Sequence, residues 1–514
     1  MALVISGRLV PISLDRRVAP RESASFKGRL WIADDGTITA VTKGSARRPD
    51  GFASAPVVDV GDDLVLPGFI DLHSHLAYAA LPLWSEPGRT TPFLHHNTWP
   101  TRPTYAACIT WPAYAYVVAA PAELLAYAEV RALLGGTTSI QGSPPSNRPL
   151  DGWLVRNVED ERLGGTLSAE RVLASTLTLK PEQLGRRATQ MRAGCCFIYH
   201  CAEGQADTIV TREYGDLQRA GCLQGGLVAI HACALRADAF DAWGQPGSIV
   251  WSPFSNLWLY GETTDIPGAL ARGIKVCIGS DWGPSGTRNV QGELKVAALV
   301  AQARNWDLTP FDLVKMITAH PGDTLSAAWG RQVGRLQPGA LADVVVLMSA
   351  GRADPFRTVL RATEQDVRLV VIHGRPVYGT PPLMTAARAQ NTSDFKLGSQ
   401  KRRLSMTRFE DRARTWPVSA VLDRMEAVRA DPKGQIESAR QTAYAGALRG
   451  DPPSLRLALD MPTGIVPIGG LPKDLGQIVV PPIPPMEHDE AFFAEIARAG
   501  FHDGLLDGLS TFYD

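Results

Sequence analysis

Eight short apolar runs, each separated from the next by a stretch of helical character, constrain the fold of this chain more than any other feature. They occupy residues 64–73, 137–141, 154–157, 172–177, 196–200, 227–231, 248–251 and 274–281. Near-continuous apolar runs alternating with helices read as βα units around a parallel sheet. Eight such units over roughly 260 residues match the size of a TIM (β/α)8 barrel, and a doubly wound sheet is the competing α/β architecture. Polar residues able to bind a metal end several of the runs, which is where a barrel presents its active site, and this favours the barrel. Between the first two runs, residues 121–135 place Leu124, Leu125, Ala128, Leu133 and Leu134 on one side, with Pro first and Gly last, as in a barrel helix. A later helix is expected to start at Thr309-Pro310, with Asp312 in its first turn, and to stop at His320 before Pro321.

The flanks have a different texture. Residues 1–62 read as short strands (3–6, 7–11, 28–33 and 37–41) with a turn at Asp35-Gly36, and similar strands return at 344–348, 367–372 and 375–378. The expected organisation is a small composite β-sandwich from residues 1–62 and 338–385, a barrel over 63–337, and a C-terminal extension over 386–514. That extension reads as polar and basic at 388–403, helical at 418–448, extended and proline-rich at 452–485, and helical again at 489–499.

Fifty-two basic and 52 acidic residues cancel, so no general field draws the chain of 514 residues to nucleic acid or to an anionic membrane. No apolar run approaches the ~18 residues of a membrane span, and residues 1–12 lack the basic start and apolar core of a signal peptide. A cytoplasmic protein acting on a small molecule is expected. Its seven cysteines, an odd number, suit reduced thiols. Cys195, Cys196 and Cys201 surround the fifth run and suggest a thiolate site, yet strand alternation sends the adjacent pair to opposite faces, which favours buried free thiols. Lys401-Arg402-Arg403 reads as part of a solvated linker.

The chemistry concentrates at the ends of the runs. His73 and His75 flank Ser74 at the end of the first, and two residues apart on an extended chain both imidazoles project from one side. Alone, such a pair is compatible with hydrogen-bonded core histidines. His200 ends the fifth run, His231 the sixth and Asp281 the eighth, so a closed barrel would bring all five to one rim. Neutral imidazoles with a carboxylate suit one divalent ion, Zn(II) or Fe(II), better than Mg or Ca. Glu203, three residues beyond His200, enters the same mouth and is a candidate proton shuttle, or else an exposed loop glutamate.

Several local motifs then stand together: Leu66-Pro-Gly-Phe-Ile-Asp-Leu-His-Ser-His75, Gly135-Gly-Thr-Thr138, His200-Cys-Ala-Glu203, Ser255-Asn256-Leu257, Gly279-Ser-Asp281 and Val333-Gly-Arg-Leu-Gln-Pro-Gly-Ala-Leu-Ala-Asp343. With these, residues 1–385 resemble the amidohydrolase superfamily, in the branch containing cytosine and guanine deaminases and triazine hydrolases. The resemblance implies that His73, His75, His200 and Asp281 bind one metal and that His231 contacts the activated water or a substrate oxygen. It also implies that Glu203 shuttles protons and that Asp281 takes a proton from the water. The implied activity is hydrolysis of a carbon-nitrogen bond by attack of metal-bound hydroxide. Its target is an amide, cyclic amide or urea in a small cyclic or aromatic substrate, with deamination of an amino-heterocycle as the alternative. Dehalogenation of a heteroaromatic ring is a smaller possibility, and a non-catalytic scaffold is disfavoured because every ligand position is kept. Lys180 leaves room for a binuclear site bridged by a carboxylated lysine, although it precedes Pro181 as though starting a helix. A homo-oligomer is expected by analogy with the family.

For the substrate, the stretch from His75 to Pro121 holds Trp84, Phe93, His95, His96, Trp99, Tyr105, Trp111, Tyr114 and Tyr116, and could lid the barrel mouth. Trp84 and Trp99 are candidates for stacking on a flat substrate, or for packing the lid down. Trp282 follows Asp281, where the family commonly has a smaller residue, and is a third candidate. Asn256 reads either as a hydrogen-bond partner of the substrate or as a turn residue.

Overall fold

A computed structural model of the chain describes residues 1–44, 46–142, 154–159, 171–175, 178–405, 417–449, 470–499, 502 and 504–513. The two flanks meet in one nine-stranded sheet. Its order is Thr392–Leu397, Gln400–Ser405, Arg375–Gly379, Val367–Ile372, Val344–Leu347, Val57–Pro67, Leu3–Leu9, Phe26–Ile32 and Ile38–Lys43. The N-terminal and returning halves join where Val344 faces Pro67 and Leu347 faces Leu64 in antiparallel register. Alternation along Val344–Leu347 divides the packing. Val344 and Val346 face a cluster containing Leu3, Ile5, Leu30 and Leu369, whereas Val345 and Leu347 face the main core with Leu64 and Leu66.

The sheet runs on past the boundary expected at residue 385. A hairpin turning at Gly398 (φ 55) adds Thr392–Leu397 and Gln400–Ser405 at its edge. The basic run read as a linker therefore lies in a strand. Edge strands carry charged side chains that blunt further pairing, so composition alone resembles a solvated segment. Arg402 is nonetheless buried, donating to the Tyr378 hydroxyl at 3.0 Å and the Gln365 carbonyl at 2.7 Å.

Eight parallel strands appear in the eight predicted places, in chain order. Phe69–Asp71, Thr137–Ile140 and Arg156–Asn157 form one sheet; Val172–Ser175, Cys196–Cys201, Leu227–His231, Ser248–Trp251 and Lys275–Ile278 form another. The predicted first run splits between layers, 64–67 pairing in the large sheet and Phe69 opening the parallel set. Gly68 makes the corner, where a Cβ would lie 2.2 Å from the Thr138 side chain. A parallel bridge between Ser74 and Asp281 links the first strand to the eighth: Asp281 N–H donates to the His73 carbonyl at 2.8 Å and His75 N–H to the Asp281 carbonyl at 3.3 Å. Part of the fourth run, at 176–177, and the segments 143–153 and 160–170 beside the third strand lie outside the described residues.

The helix Pro121–Leu134 forms as expected, with Pro at its start and Gly135 as its C-cap. Thr309 and Asp312 form the capping box of Pro310–Lys315. The chain does not stop at His320, however, because a new helix, Ala319–Trp329, begins one residue earlier and contains Pro321. Proline costs little in a first turn, where its missing N–H has no intrahelical partner to lose. In the extension, Val418–Ala430 and Pro432–Arg449 replace a single expected helix, and Asp489 caps Glu490–Arg498. Of its proline-rich part, residues 452–469 lie outside the described residues, and the remainder is held where the Tyr127 hydroxyl donates to the Pro484 carbonyl at 2.6 Å. Among the described residues no helix is long and apolar enough to cross a membrane, and all seven cysteines are free thiols, five of them buried.

Candidate metal and catalytic centre

The strand ends bring together the side chains that sequence spacing separates. The His73 ring lies 4.7 Å, centroid to centroid, from His75 and from His200, and 5.4 Å from His231. Asp281 Oδ1 stands 2.9 Å from His73 Nε2 and 3.4 Å from His75 Nε2, with Oδ2 4.0 Å from His231 Nε2. Possible ligand atoms of His73, His200 and His231 lie within 4.8 Å of one another, as do those of His73, His75 and Asp281. Backbone strain accompanies this convergence: Ala202, His231 and Asp281 have φ of 50, 67 and 59°, a region costly for residues other than Gly. Hydrogen bonds hold it in place, from Asp281 N–H to the His73 carbonyl and from the Thr264 hydroxyl to the His231 carbonyl at 2.7 Å.

Electrostatics prepares the group for a cation. Burial, then the neighbouring histidines, hold the His200 imidazolium well below its ordinary range, and burial outweighs the nearby Asp281 to lower His73 as well. Burial alone would raise the Asp281 carboxyl, but His73 and His75 reverse this and keep it well below the carboxylate range. Neutral imidazoles beside an ionised carboxylate are the protonation states that a divalent metal requires. His200 Nδ1 is moreover buried with no hydrogen-bond partner among the described residues. The donor set thus fits a borderline-soft divalent ion.

Two supporting residues had not been singled out from sequence. Gln141 Oε1 lies 3.2 Å from His73 Nδ1, which directs that proton to Nδ1 and leaves Nε2 as the free lone pair. Asp71 accepts from the backbone N–H groups of His73 (3.2 Å) and Ser280 (3.1 Å) and from the Ser280 hydroxyl (2.5 Å), tying the first strand to the eighth. Burial pushes its carboxyl up to about 7. Both carried a signal: Gln141 is a polar residue ending the second apolar run, and Asp71 lies two residues before His73 on the same side of an extended chain.

Glu203 follows the fifth strand, and its Oε2 lies 3.7 Å from His231 Nε2. A single short helix, Pro253–Tyr260, supports both residues. All eight of its side chains are buried, its first-turn Phe254 N–H is capped by Glu293 at 2.7 Å, and it ends at Gly261 in the left-handed conformation. Asn256 and Tyr260, four residues apart, share a face. Asn256 Nδ2 lies 3.2 Å from His231 Nδ1, and the Tyr260 hydroxyl donates to Glu203 Oε1 at 2.5 Å. With the Asn256 amide nitrogen donating, neutral His231 carries its proton on Nε2, facing Glu203 and Asp281.

These groups open into a cavity of about 570 Å³ lined by His75, His200, Glu203, His231 and Asp281 together with Tyr78, Trp99, Tyr105 and Trp282. Trp99 and Trp282 stack at 5.1 Å and 29°. Trp84 and Asn256 correct the sequence reading, because neither lines this cavity. Trp84 packs one ring further back, against Tyr105 at 5.7 Å and Phe93 at 6.0 Å, and its N–H and carbonyl are taken up by Pro284 and Trp258. Asn256 is wholly buried, and its amide is spent on His231. Lys180 lies exposed on the cavity wall as the N-cap of the helix Pro181–Arg192, with its N–H bonded to Gln183 at 2.9 Å. His96, from the stretch expected to lid the barrel mouth, also lines the cavity and is paired to Glu213 at 2.7 Å.

The Amidohydrolase family model matches residues 64–377. The chain belongs to the amidohydrolase family. It is accordingly a hydrolytic enzyme acting on carbon-nitrogen bonds, with a divalent-metal site. It is 26% identical over 409 residues to a 5-methylthioadenosine/S-adenosylhomocysteine deaminase of Desulfitobacterium hafniense, covering 70% of this chain and 90% of the relative. A 5'-deoxyadenosine deaminase of Methanopyrus kandleri is 29% identical over 204 residues, 36% of this chain and 47% of that protein. Among solved structures, a triazine hydrolase variant superposes with a TM-score of 0.55 at 16% identity, covering 73% of this chain and 94% of that one. Guanine deaminase of E. coli gives 0.54 at 17% identity, covering 74% and 99%. A zinc-bound adenosine deaminase from Xanthomonas campestris gives 0.53 at 17%, covering 75% and 97%.

Proposed function

We propose that this protein is a hydrolytic deaminase of an amino-heterocycle, with an adenine-type ring carried on a nucleoside as its substrate. In this reading the eight parallel strands close as a (β/α)8 barrel. His73, His75, His200 and Asp281 hold one divalent ion, Zn(II) by the chemistry of the donor set and by likeness to the zinc-bound fold relative. Amide or urea hydrolysis uses the same residues. The deaminase names of the sequence relatives favour the amino-heterocycle, as does an aromatic pair, Trp99 and Trp282, suited to a flat ring.

Bound there, the ion supplies the Lewis acidity that makes water a nucleophile at neutral pH. The protein's own groups do the rest. Asp281, ionised, takes a proton at its carboxylate as water adds to the ring carbon bearing the amino group. His231 Nε2–H holds the developing oxygen. Glu203 Oε2 carries the second proton of that water to the departing nitrogen, so that ammonia leaves rather than an amide anion, and Asp281 gives up the first to the ring nitrogen, which returns both carboxylates to their starting state. Water and the amino-heterocycle thus give the oxo-heterocycle and ammonia.

The observation that carries the proposal is that Glu203 and His231 stand beside the His/Asp group in the cavity that the aromatic pair also lines. Its test is a panel of 5'-deoxyadenosine, 5'-methylthioadenosine, S-adenosylhomocysteine, guanine, a lactam and a phenylurea, with ammonia and new carboxylate measured separately. The expected result is one ammonia per adenine ring converted to hypoxanthine. Turnover of the lactam or urea alone would overturn deamination in favour of amide hydrolysis.

A further inference from the structure

From the wall of the cavity to the proton shuttle runs a chain of two hydrogen bonds. Trp99, on the segment that covers the cavity, donates its indole N–H to the Tyr260 hydroxyl at 3.0 Å, and Tyr260 donates in turn to Glu203 Oε1 at 2.5 Å. Tyr260 is wholly buried and Glu203 is 7% exposed. Burial first, and the neighbouring Glu203 carboxylate second, keep the phenol protonated far above its ordinary range, so it acts as a donor at every working pH.

The covering segment is fastened to the same two elements. His96 N–H donates to the Glu203 carbonyl at 3.1 Å, Gln205 N–H to the Leu94 carbonyl at 2.7 Å, and His95 bridges Gly204 in antiparallel fashion. Phe93 N–H donates to the Leu259 carbonyl at 2.7 Å, next to Tyr260. Tyr260 thus occupies the one Glu203 oxygen that points away from His231 and leaves Oε2 for the reacting proton.

We propose that Tyr260 is a positioning residue for the proton shuttle, fixing the Glu203 carboxylate so that Oε2 faces the departing nitrogen, and that Trp99 ties this arrangement to the covering segment. The inference rests on Glu203 being the shuttle. A free carboxylate would distribute among rotamers, whereas one with an oxygen bonded to a buried phenol is held to one, which is worth rate only in the proton-transfer step. The role of Trp99 is double: its ring face stacks on Trp282 while its N–H is committed to Tyr260.

The test uses the metal-loaded full chain and an adenine nucleoside that it turns over. Tyr260→Phe removes only the hydroxyl. Expected is a fall in kcat of about tenfold, the low end of what one hydrogen bond to a charged group is worth, with KM and metal content unchanged. Placed in a Glu203→Gln background, Tyr260→Phe should cost nothing further, because it acts only through the carboxylate. Trp99→Phe, which removes the indole N–H and keeps a ring, should lower kcat by a larger factor in the native background than on top of Tyr260→Phe. A Tyr260→Phe enzyme within twofold of native kcat, or one losing the same factor in the Glu203→Gln background, overturns the proposal. Near-native turnover of Glu203→Gln itself would instead refute the shuttle on which it rests.

Discussion

Glu203→Gln preserves the shape of the side chain and removes its proton-carrying capacity. The amide oxygen can still accept from Tyr260, and none of the His73, His75, His200 or Asp281 atoms is changed, so metal content should stay at the native level. What is lost is proton delivery from the oxygen 3.7 Å from His231 Nε2. General acid-base work is commonly worth about 100- to 10,000-fold, or about 3 to 5 kcal/mol. Glu203 is only 7% exposed, which hinders bulk water from replacing it, and the upper half of that range follows: about 1,000-fold or more in kcat. The assay follows conversion of adenine to hypoxanthine at saturating substrate, with metal measured on the same sample. Turnover within threefold of native, or a loss that merely tracks lost metal, would refute the reasoning.

Two further consequences concern the frame and the covering segment. Arg156 donates through Nη2 and Nε to Asp343 at 2.9 and 3.1 Å, with 2% and 1% of the two side chains exposed, joining the third parallel strand to the large sheet. Asp343→Ala should therefore cost about 3–5 kcal/mol by removing the carboxylate that pairs with a buried guanidinium, read as a lower urea midpoint; a loss below about 1 kcal/mol would contradict it. Burial lowers His96, but Glu213 and Glu203 more than reverse it, so its folded value is raised. A raised histidine stabilises fully below its unfolded pKa of about 6.5 and loses that contribution as pH rises through the folded value. Amides at residues 94–98 should lose exchange protection, after correction for intrinsic rates, as pH rises from 6 to 9, and Glu213→Gln should flatten the trend. A trend of opposite sign would refute the pairing.

What the sequence reveals depends on whether a residue's role is local. His73 and His75 are legible because an extended chain places every second side chain on one face, and His200, His231 and Asp281 because each ends an apolar run. Asn256 and Tyr260 share a face by their spacing, yet what that face meets is set by packing of the helix on other elements, so the substrate role read for Asn256 became support of His231. Tyr260 sits in an apolar stretch where a tyrosine looks like core. Trp84 illustrates the limit for aromatic residues: nothing in its neighbours tells a ring that lines a cavity from one that backs it. Composition does not mark where the large sheet ends, because an edge hairpin and a solvated linker are both rich in charge, and Pro321 does not stop the chain's helix because it sits in a first turn.

The measurement that tests the central claim most directly is metal analysis of the purified chain combined with anomalous diffraction at the absorption edge of the metal found. The account predicts one divalent ion per chain, at ~2.0–2.2 Å from nitrogens of His73, His75 and His200 and an oxygen of Asp281. An ion bound elsewhere, or a fully active chain that holds none, would contradict it.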